Sequence, residues 1–146
     1  MSMTGLDVFD KTIHITNEWL NDLMYEMNWT EKHKAYSAIR VCLHALRDRL
    51  TVDEATHLGA QLPLLIRGVY YEGWNPSAVP EKIRDKEEFL YRIRESAKGT
   101  DLQVEDAETT TRAVFKLLFH RISEGEIQDI KQMIPDALRE FWPERM

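Results

Sequence analysis

The amino-acid sequence predicts an all-α fold, in which two tandem pseudo-symmetric helical repeats pack as one multi-helix bundle of about eight helices. Three observations predict it. Apolar residues recur at alternating spacings of three and four along the chain, which is the period of one helix face. No segment of the 146 residues shows the strict apolar-polar alternation of a half-buried strand. The middle of the chain also returns in weaker form near the C-terminus.

Two long amphipathic helices open the chain. The first carries one apolar stripe with a single polar interruption, at Thr16: Phe9, Ile13, Thr16, Leu20, Leu23 and Met27. Asn28-Trp29-Thr30 breaks this pattern, and Thr30 is suited to cap the second helix. The second helix presents its apolar residues on one face: Ala35, Ile39, Leu43, Leu46 and Leu50. Both stripes are typical of packing seams in helix bundles.

A helix, a proline corner and a short helix follow. Thr51 and Glu54 have the spacing of a capping box, in which the hydroxyl accepts from the third backbone N–H and the carboxylate reaches back to the N–H of the cap. The third helix should end at Pro63, which lacks an N–H donor. A short fourth helix can begin there, because proline suits a first turn. Its stripe is Ile66, Val69 and Tyr70, and Gly73 is its predicted terminator.

The same unit returns 72 positions later. The corresponding pairs are Arg49 with Arg121, Thr51 with Ser123, Glu54 with Glu126, Leu58 with Ile130, Pro63 with Pro135, Arg67 with Arg139 and Tyr70 with Trp142. Such self-similarity indicates a duplicated helical unit. We therefore predict a single domain over residues 1–146, with a first repeat at about 6–73, a linker at 74–85 and a second repeat at about 86–143.

The second half repeats the order of the first. The linker contains Pro76 and Pro80 and is predicted to be a surface connection. Asp85 with Glu88 caps a fifth helix that ends at Gly99, and a polar loop through Asp101 precedes the sixth. The final two helices form the second proline corner and end at Phe141-Trp142-Pro143.

Composition limits the classes of function. A chain of this length can bury roughly 68–70% of its unfolded surface, which is enough for one core. The net charge of −6 opposes binding to nucleic acid and to anionic lipid, both of which depend on positive charge. Cys42 is the only cysteine, so no internal disulfide is possible. No apolar run approaches the length of a membrane span, and we expect cytoplasmic residence.

Several motifs resemble a bacterial family known as domain of unknown function 2267. They are Leu46-Arg-Asp-Arg-Leu50, Gly59-Ala-Gln-Leu-Pro63, Tyr70-Tyr-Glu-Gly-Trp74, Gly125-Glu126, Leu138-Arg139 and Trp142-Pro143. The resemblance covers nearly the whole chain. It implies an all-helical, cytoplasmic bacterial protein, but it implies no activity and no catalytic residue.

The repeat separates scaffold residues from candidate site residues, because what both copies share is expected to build the unit. The shared glutamates are interpreted as caps, and the shared arginines as partners of carboxylates or helix-end carbonyls. Arg47, Tyr71 and Trp74 occur in the first copy alone, and Tyr70, Tyr71 and Trp74 form an aromatic corner at a helix end. Together with Arg67 this corner gives the candidate binding residues Arg47, Arg67, Tyr70, Tyr71 and Trp74. Glycine is costly inside a helix, so Gly59 and Gly68 indicate a close approach by another backbone or a ligand. Tight packing and a covered core edge are the competing interpretations of these features.

The pattern Glu54-x-x-His57 resembles half of a carboxylate site inside a helix bundle. The second copy places Glu126 and Asp129 at the equivalent positions, which makes these four residues weak candidates for metal ligands. Both glutamates are assigned to helix caps, and the further inward carboxylates that a di-metal bundle needs are not identifiable in the sequence. The sequence therefore predicts no metal, and it predicts no cofactor.

The sequence therefore favours a non-enzymatic module that binds a protein partner or a second copy of itself. The alternative is a small-molecule or metal-dependent enzyme that uses the crevice between the two repeats. The sequence contains no nucleophile elbow, phosphate-binding glycine loop or dinucleotide fingerprint.

Overall fold

The computed structural model of the protein describes residues 3–102 and 106–144, so both ends of the predicted domain lie partly outside the described ranges. Within these ranges the chain forms eight α-helices and no β-strand, as the sequence predicts. None of these helices combines the length and the apolar composition needed to cross a membrane. The helices are α1 (Asp7–Met27), α2 (Lys32–Arg49), α3 (Val52–Ala60), α4 (Leu64–Tyr71), α5 (Lys86–Ala97), α6 (Ala107–Arg121), α7 (Glu124–Met133) and α8 (Asp136–Arg139).

Helix α2 lies at the centre of the bundle, where it contacts α1, α4, α5 and α6. Most of its residues are buried, including polar ones such as Ser37 and Asp48, because other helices surround it. Asn28 ends α1 in the left-handed conformation, with φ of 57°. The predicted cap at Thr30 is wrong: α2 begins after Glu31, and no side chain caps it.

The two proline corners have the same local geometry. The hydroxyl of Thr51 accepts a hydrogen bond from the N–H of Glu54 at 3.3 Å, and Ser123 accepts from Glu126 at 3.2 Å. The backbone angles are φ −58° and ψ 151° at Pro63, and φ −59° and ψ 150° at Pro135. These matched details agree with the 72-residue spacing, and the internal repeat itself stays a prediction.

Arginines bind helix-end carbonyls at both corners. Arg67 donates to the carbonyl of Gly59, and Arg139 donates to that of Lys131, eight residues earlier in each case. These are the partners expected for arginines shared by both halves. Each bond holds the short helix against the end of the preceding one.

The segment between the halves is anchored rather than free. It forms one 3-10 turn at Pro76–Ala78. Further along, Ile83 is buried and its carbonyl accepts from Nε of Arg49 at 2.7 Å. The N–H of Glu81 donates to the carbonyl of Asp48, also at 2.7 Å. The description of this segment as a surface connection is therefore wrong around Ile83, which packs in the core.

The second half has an aromatic core. The ring of Phe89 lies 6.2 Å from that of Phe115 and 5.6 Å from that of Phe141, measured between centroids. Trp142 stacks on Phe115 at 4.5 Å. Asp85 caps α5 as predicted, with its carboxylate accepting from the N–H of Glu88 at 2.8 Å.

Candidate functional site

Two of the five predicted binding residues are buried and bonded within the fold. Arg47 is 3% exposed and donates to the carbonyls of Tyr70 and Glu72 at the end of α4, at 2.7 and 2.8 Å. Tyr70 is fully buried, and its hydroxyl donates to the carbonyl of Ala55 at 2.6 Å. Desolvation raises the pKa of Tyr70 well above its usual range. Neither side chain faces a surface from which a partner is reached.

Arg47 belongs to a buried ionic network that joins the halves. Its guanidinium binds both oxygens of Asp48, at 2.7 and 3.0 Å. Asp48 also accepts from Arg92 of α5 at 2.8 Å, and Arg92 reaches Glu81 of the linker at 3.1 Å. Paired and hydrogen-bonded in this way, the buried charges are compensated. The Arg-Asp motif therefore fixes α2, α4, α5 and the linker relative to one another.

The other three predicted binding residues, Arg67, Tyr71 and Trp74, are half-buried. The guanidinium of Arg67 is occupied by carbonyls at the end of α3. The ring of Tyr71 contacts that of Trp74, with centroids 5.4 Å apart. The indole N–H of Trp74 is buried without a hydrogen-bond partner. Their role in binding stays a prediction.

Of the two glycines expected to make a close approach, only Gly59 does so. A Cβ atom at Gly59 would lie 2.7 Å from Cζ of Tyr71, so the tyrosine ring occupies the space that a side chain needs. At Gly68 no atom lies within 4 Å of that position. The expectation of tight packing is confirmed at Gly59 and wrong at Gly68.

An apolar groove lies between α1, α2 and α4, and we call it the α1–α2–α4 groove. Its volume is about 610 Å³. Its apolar lining residues are Ile13, Leu20, Tyr36, Ile39, Leu65, Ile66 and Val69. The lining residues run from Ile13 to Leu20 on α1 and from Lys32 to Ile39 on α2, and each range of eight residues corresponds to about 10 Å of helix. All three helices belong to the first half, so the groove is not the crevice between the halves.

Four polar residues also line the groove: Thr16, Asn17, Lys32 and His33. The hydroxyl oxygen of Thr16 is buried, with no hydrogen-bond partner in the described parts of the chain. The ammonium of Lys32 lies 3.4 Å from the side-chain oxygen of Asn17, and it has no carboxylate partner among the described residues. The groove thus combines an apolar floor with one positive charge that no described carboxylate pairs.

A hydrogen-bonded cluster borders the groove at His33. Its Nδ1 lies 2.7 Å from the carboxylate of Asp101, which also accepts from the hydroxyl of Ser37 at 2.7 Å. The bond from Ser37, followed by that from His33, lowers the pKa of Asp101. This cluster links the start of α2 to the loop after α5.

The sequence interpretation missed the groove because it assigned the α1 stripe to the core. Phe9 is 47% exposed, and Ile13 is only half-buried. Leu64 and Leu65 are apolar but lie outside the predicted stripe of α4, and they are 48% and 46% exposed. The polar interruption at Thr16 and this extra leucine pair were the signals that could have located the groove.

The metal candidates lie at the contact between α3 and α7. Glu54 and Glu126 are 8% and 6% exposed, and their carboxylates face each other. His57 is exposed, with its Nδ1 3.9 Å from Glu54. Asp129 is also exposed and lies outside this cluster. Desolvation, with the hydrogen bond and the charge of Glu54, raises the pKa of Glu126 to about 8.

The assignment of both glutamate side chains to helix caps is wrong. Thr51 and Ser123 accept from the glutamate N–H groups, but the reciprocal bonds do not form. The N–H of Ser123 donates to Gln61 instead, at 3.0 Å. Within the described residues, one oxygen of Glu54 and one of Glu126 are buried with no hydrogen-bond partner. The glutamate side chains are therefore not occupied by capping, which was one of the two expectations against a metal.

In a comparison with known families, the family model described as an uncharacterized conserved protein (DUF2267) matches residues 16–141. Comparison with curated proteins finds no match.

Proposed function

Because the chain belongs to the DUF2267 family, whose description names no activity, we propose a function from the geometry of the groove. The protein is a non-enzymatic interaction module. Its α1–α2–α4 groove holds the apolar face of an amphipathic helix from a protein partner. The observation that carries the proposal is the apolar groove of about 610 Å³, which no described segment of the chain covers.

The dimensions of the groove suit a helix. Its length of about 10 Å corresponds to two helical turns, which present two or three apolar side chains at positions i, i+4 and i+7. Phe9, one helical turn before Ile13 on α1, and Leu64, next to Leu65 on α4, are also exposed apolar side chains. Exposed apolar patches mark interaction sites in soluble proteins.

The charge at the groove favours an acidic flank on the partner helix. Lys32 brings an ammonium group to the lining, and no described carboxylate neutralises it. A glutamate or aspartate beside the apolar face of the partner would pair with Lys32.

The experiment selects helical peptides from a displayed library against the folded protein and measures their affinity by fluorescence anisotropy. We expect the selected peptides to share the apolar spacing and an acidic residue at one side. Leu65→Asp should abolish binding. Val52→Asp is the matched control, because Val52 is also an exposed apolar residue (40%) but lies on α3, outside the groove.

Exchanging the charges of Lys32 and of the acidic peptide position tests how the partner helix is oriented in the groove. Lys32→Glu should weaken the acidic peptides and strengthen the same peptides with lysine at the acidic position. If the selected peptides bind Leu65→Asp and the wild type equally well, the proposal is wrong. If the wild-type chain is a dimer in solution and Leu65→Asp is a monomer, the occupant is a second copy rather than a foreign helix.

The alternative function, an enzyme in the crevice between the halves, has one observation in its favour. The carboxylates of Glu54 and Glu126 meet where α3 of the first half contacts α7 of the second. A buried carboxyl with a raised pKa beside a second carboxyl is an arrangement used in acid–base chemistry. None of the cavities found among the described residues is lined by Glu54 or Glu126.

A further inference from the structure

The contact between α3 and α7 holds a cluster of three groups that can ligate a metal. One carboxylate oxygen each from Glu54 and Glu126 and one ring nitrogen of His57 all lie within 4.8 Å of one another. We propose that these three residues bind a divalent transition-metal cation, of which Zn²⁺ is the best fit, and that the cation links the two helices.

The buried carboxyls are the first argument for a ligand. Glu54 and Glu126 are both more than nine-tenths buried. The two carboxyls share one hydrogen bond, and Oε1 of Glu54 and Oε2 of Glu126 have no other hydrogen-bond partner within the described residues. A buried charge costs free energy unless a counter-charge compensates it, and no lysine or arginine of the described residues forms an ion pair with either carboxylate. A bound cation replaces the shared proton and compensates the charge of both carboxylates.

The donor set selects the class of metal. Imidazole nitrogen with carboxylate oxygen suits zinc and its first-row neighbours, whereas Mg²⁺ prefers oxygen ligands alone in an octahedron. Zinc places such ligands at about 2.0–2.2 Å, so the donor atoms of a tetrahedral site lie roughly 3.4 Å apart. The cluster must therefore contract by about 1 Å at its widest. His57 can supply this movement, because its side chain is 66% exposed and is not packed.

The position of the cluster, between α3 and α7, determines how a bound cation would affect the fold. Glu54 and His57 lie on α3, while Glu126 lies on α7, so the cation joins the first and the second half of the chain. A metal that binds the folded chain and not the unfolded one stabilises the fold by mass action. Three protein ligands leave a fourth position, and the exposure of His57 places that position next to solvent. Water is the ligand expected there.

The experiment titrates Zn²⁺ into the full chain after treatment with a chelator, using calorimetry to measure affinity and stoichiometry. We expect one Zn²⁺ per chain, and no binding of Mg²⁺ at the same concentrations. Zn²⁺ should also raise the melting temperature. His57→Ala should weaken Zn²⁺ binding by at least about tenfold. Glu126→Gln, which keeps the shape but not the charge of the side chain, should weaken it further.

His14→Ala is the matched control. His14 is also an exposed histidine beside a glutamate, with Nε2 3.5 Å from Glu18, but the pair lies on the surface of α1. This variant should bind Zn²⁺ like the wild type. The proposal is overturned if the wild type binds no more tightly than His57→Ala, or if His14→Ala weakens binding equally. Should Glu126→Gln fail to fold, the exposed His57 variant decides the question alone.

Discussion

The ring of Tyr71 lies directly against the α-carbon of Gly59, so that a Cβ atom at Gly59 would lie 2.7 Å from Cζ of the tyrosine. The same ring contacts Tyr70 and Trp74, with centroids 5.0 and 5.4 Å away. This contact packs the end of α4 on α3. It makes Gly59 a packing residue rather than a flexible one.

Replacing Gly59 should therefore destabilise the fold. Gly59→Ala gains about 1 kcal/mol of helix propensity, but overpacking against the tyrosine costs about 1–3 kcal/mol. We expect the free energy of unfolding to fall by up to about 2 kcal/mol in urea titrations. Gly68→Ala is the control, because open space surrounds Gly68, and it should stabilise the protein by up to about 1 kcal/mol. Equal effects of the two substitutions would contradict the packing argument.

We expect a larger loss of stability when the buried ionic network around Asp48 is broken. Asp48→Ala leaves the buried guanidinium of Arg47 without its carboxylate and removes a partner of Arg92. Breaking a buried ion pair by removing one partner costs about 3–5 kcal/mol. The matched comparison is Lys116→Ala, which breaks the surface pair with Glu26 and should cost no more than about 1 kcal/mol. Thermal and urea unfolding of both variants would test this difference.

Because the pKa of Glu126 is raised, we expect the stability of the metal-free protein to depend on pH. The pKa of Glu126 is about 8 in the folded chain and has an ordinary value of 4.5. The folded state therefore binds more protons than the unfolded state between these two values. The free energy of unfolding should accordingly decrease as the pH rises from about 4.5 to 8.

Glu126→Gln should flatten this pH dependence, because the amide does not titrate. The measurement is urea unfolding in the presence of a chelator at several pH values between 5 and 8.5. A variant with the same slope as the wild type would show that Glu126 does not carry the effect.

We expect the thiol of Cys42 not to react with alkylating reagents in the native protein. Cys42 is buried, and desolvation raises the pKa of its thiol to about 12, against a smaller opposite effect of a hydrogen bond with Thr111. Only the thiolate reacts with alkylating reagents. We expect no labelling by iodoacetamide at pH 8 in the native state and complete labelling in denaturant. Rapid native labelling would place Cys42 at the surface.

Much of the fold could be predicted from local chemistry. Asp85 caps α5, Pro63 and Pro135 begin the short helices, and Gly73 and Gly99 adopt positive φ after their helices. Each of these outcomes depends on a residue and its nearest neighbours in sequence. The apolar spacings located the long helices because the spacing of three and four residues also reflects the local backbone geometry of a helix.

The candidate sites could not be predicted to the same extent. Arg47 and Tyr70 have the chemistry of recognition residues, yet both bond to carbonyls of other helices inside the core. The apolar stripe of α1 has the spacing of a core face, yet its N-terminal part, from Ile13 to Leu20, borders an open groove. Residue type and spacing do not specify which neighbouring helix, if any, covers a given face.

The sequence by itself determined where helices begin, turn and end, because caps, prolines and glycines act through backbone bonds within a few residues. Only the tertiary structure decided that Glu54 and Glu126 face each other rather than their own caps, and that α1, α2 and α4 leave an apolar groove open. These outcomes depend on contacts between segments distant in the chain. Their free energy comes from desolvation and packing, which take effect only when those segments meet.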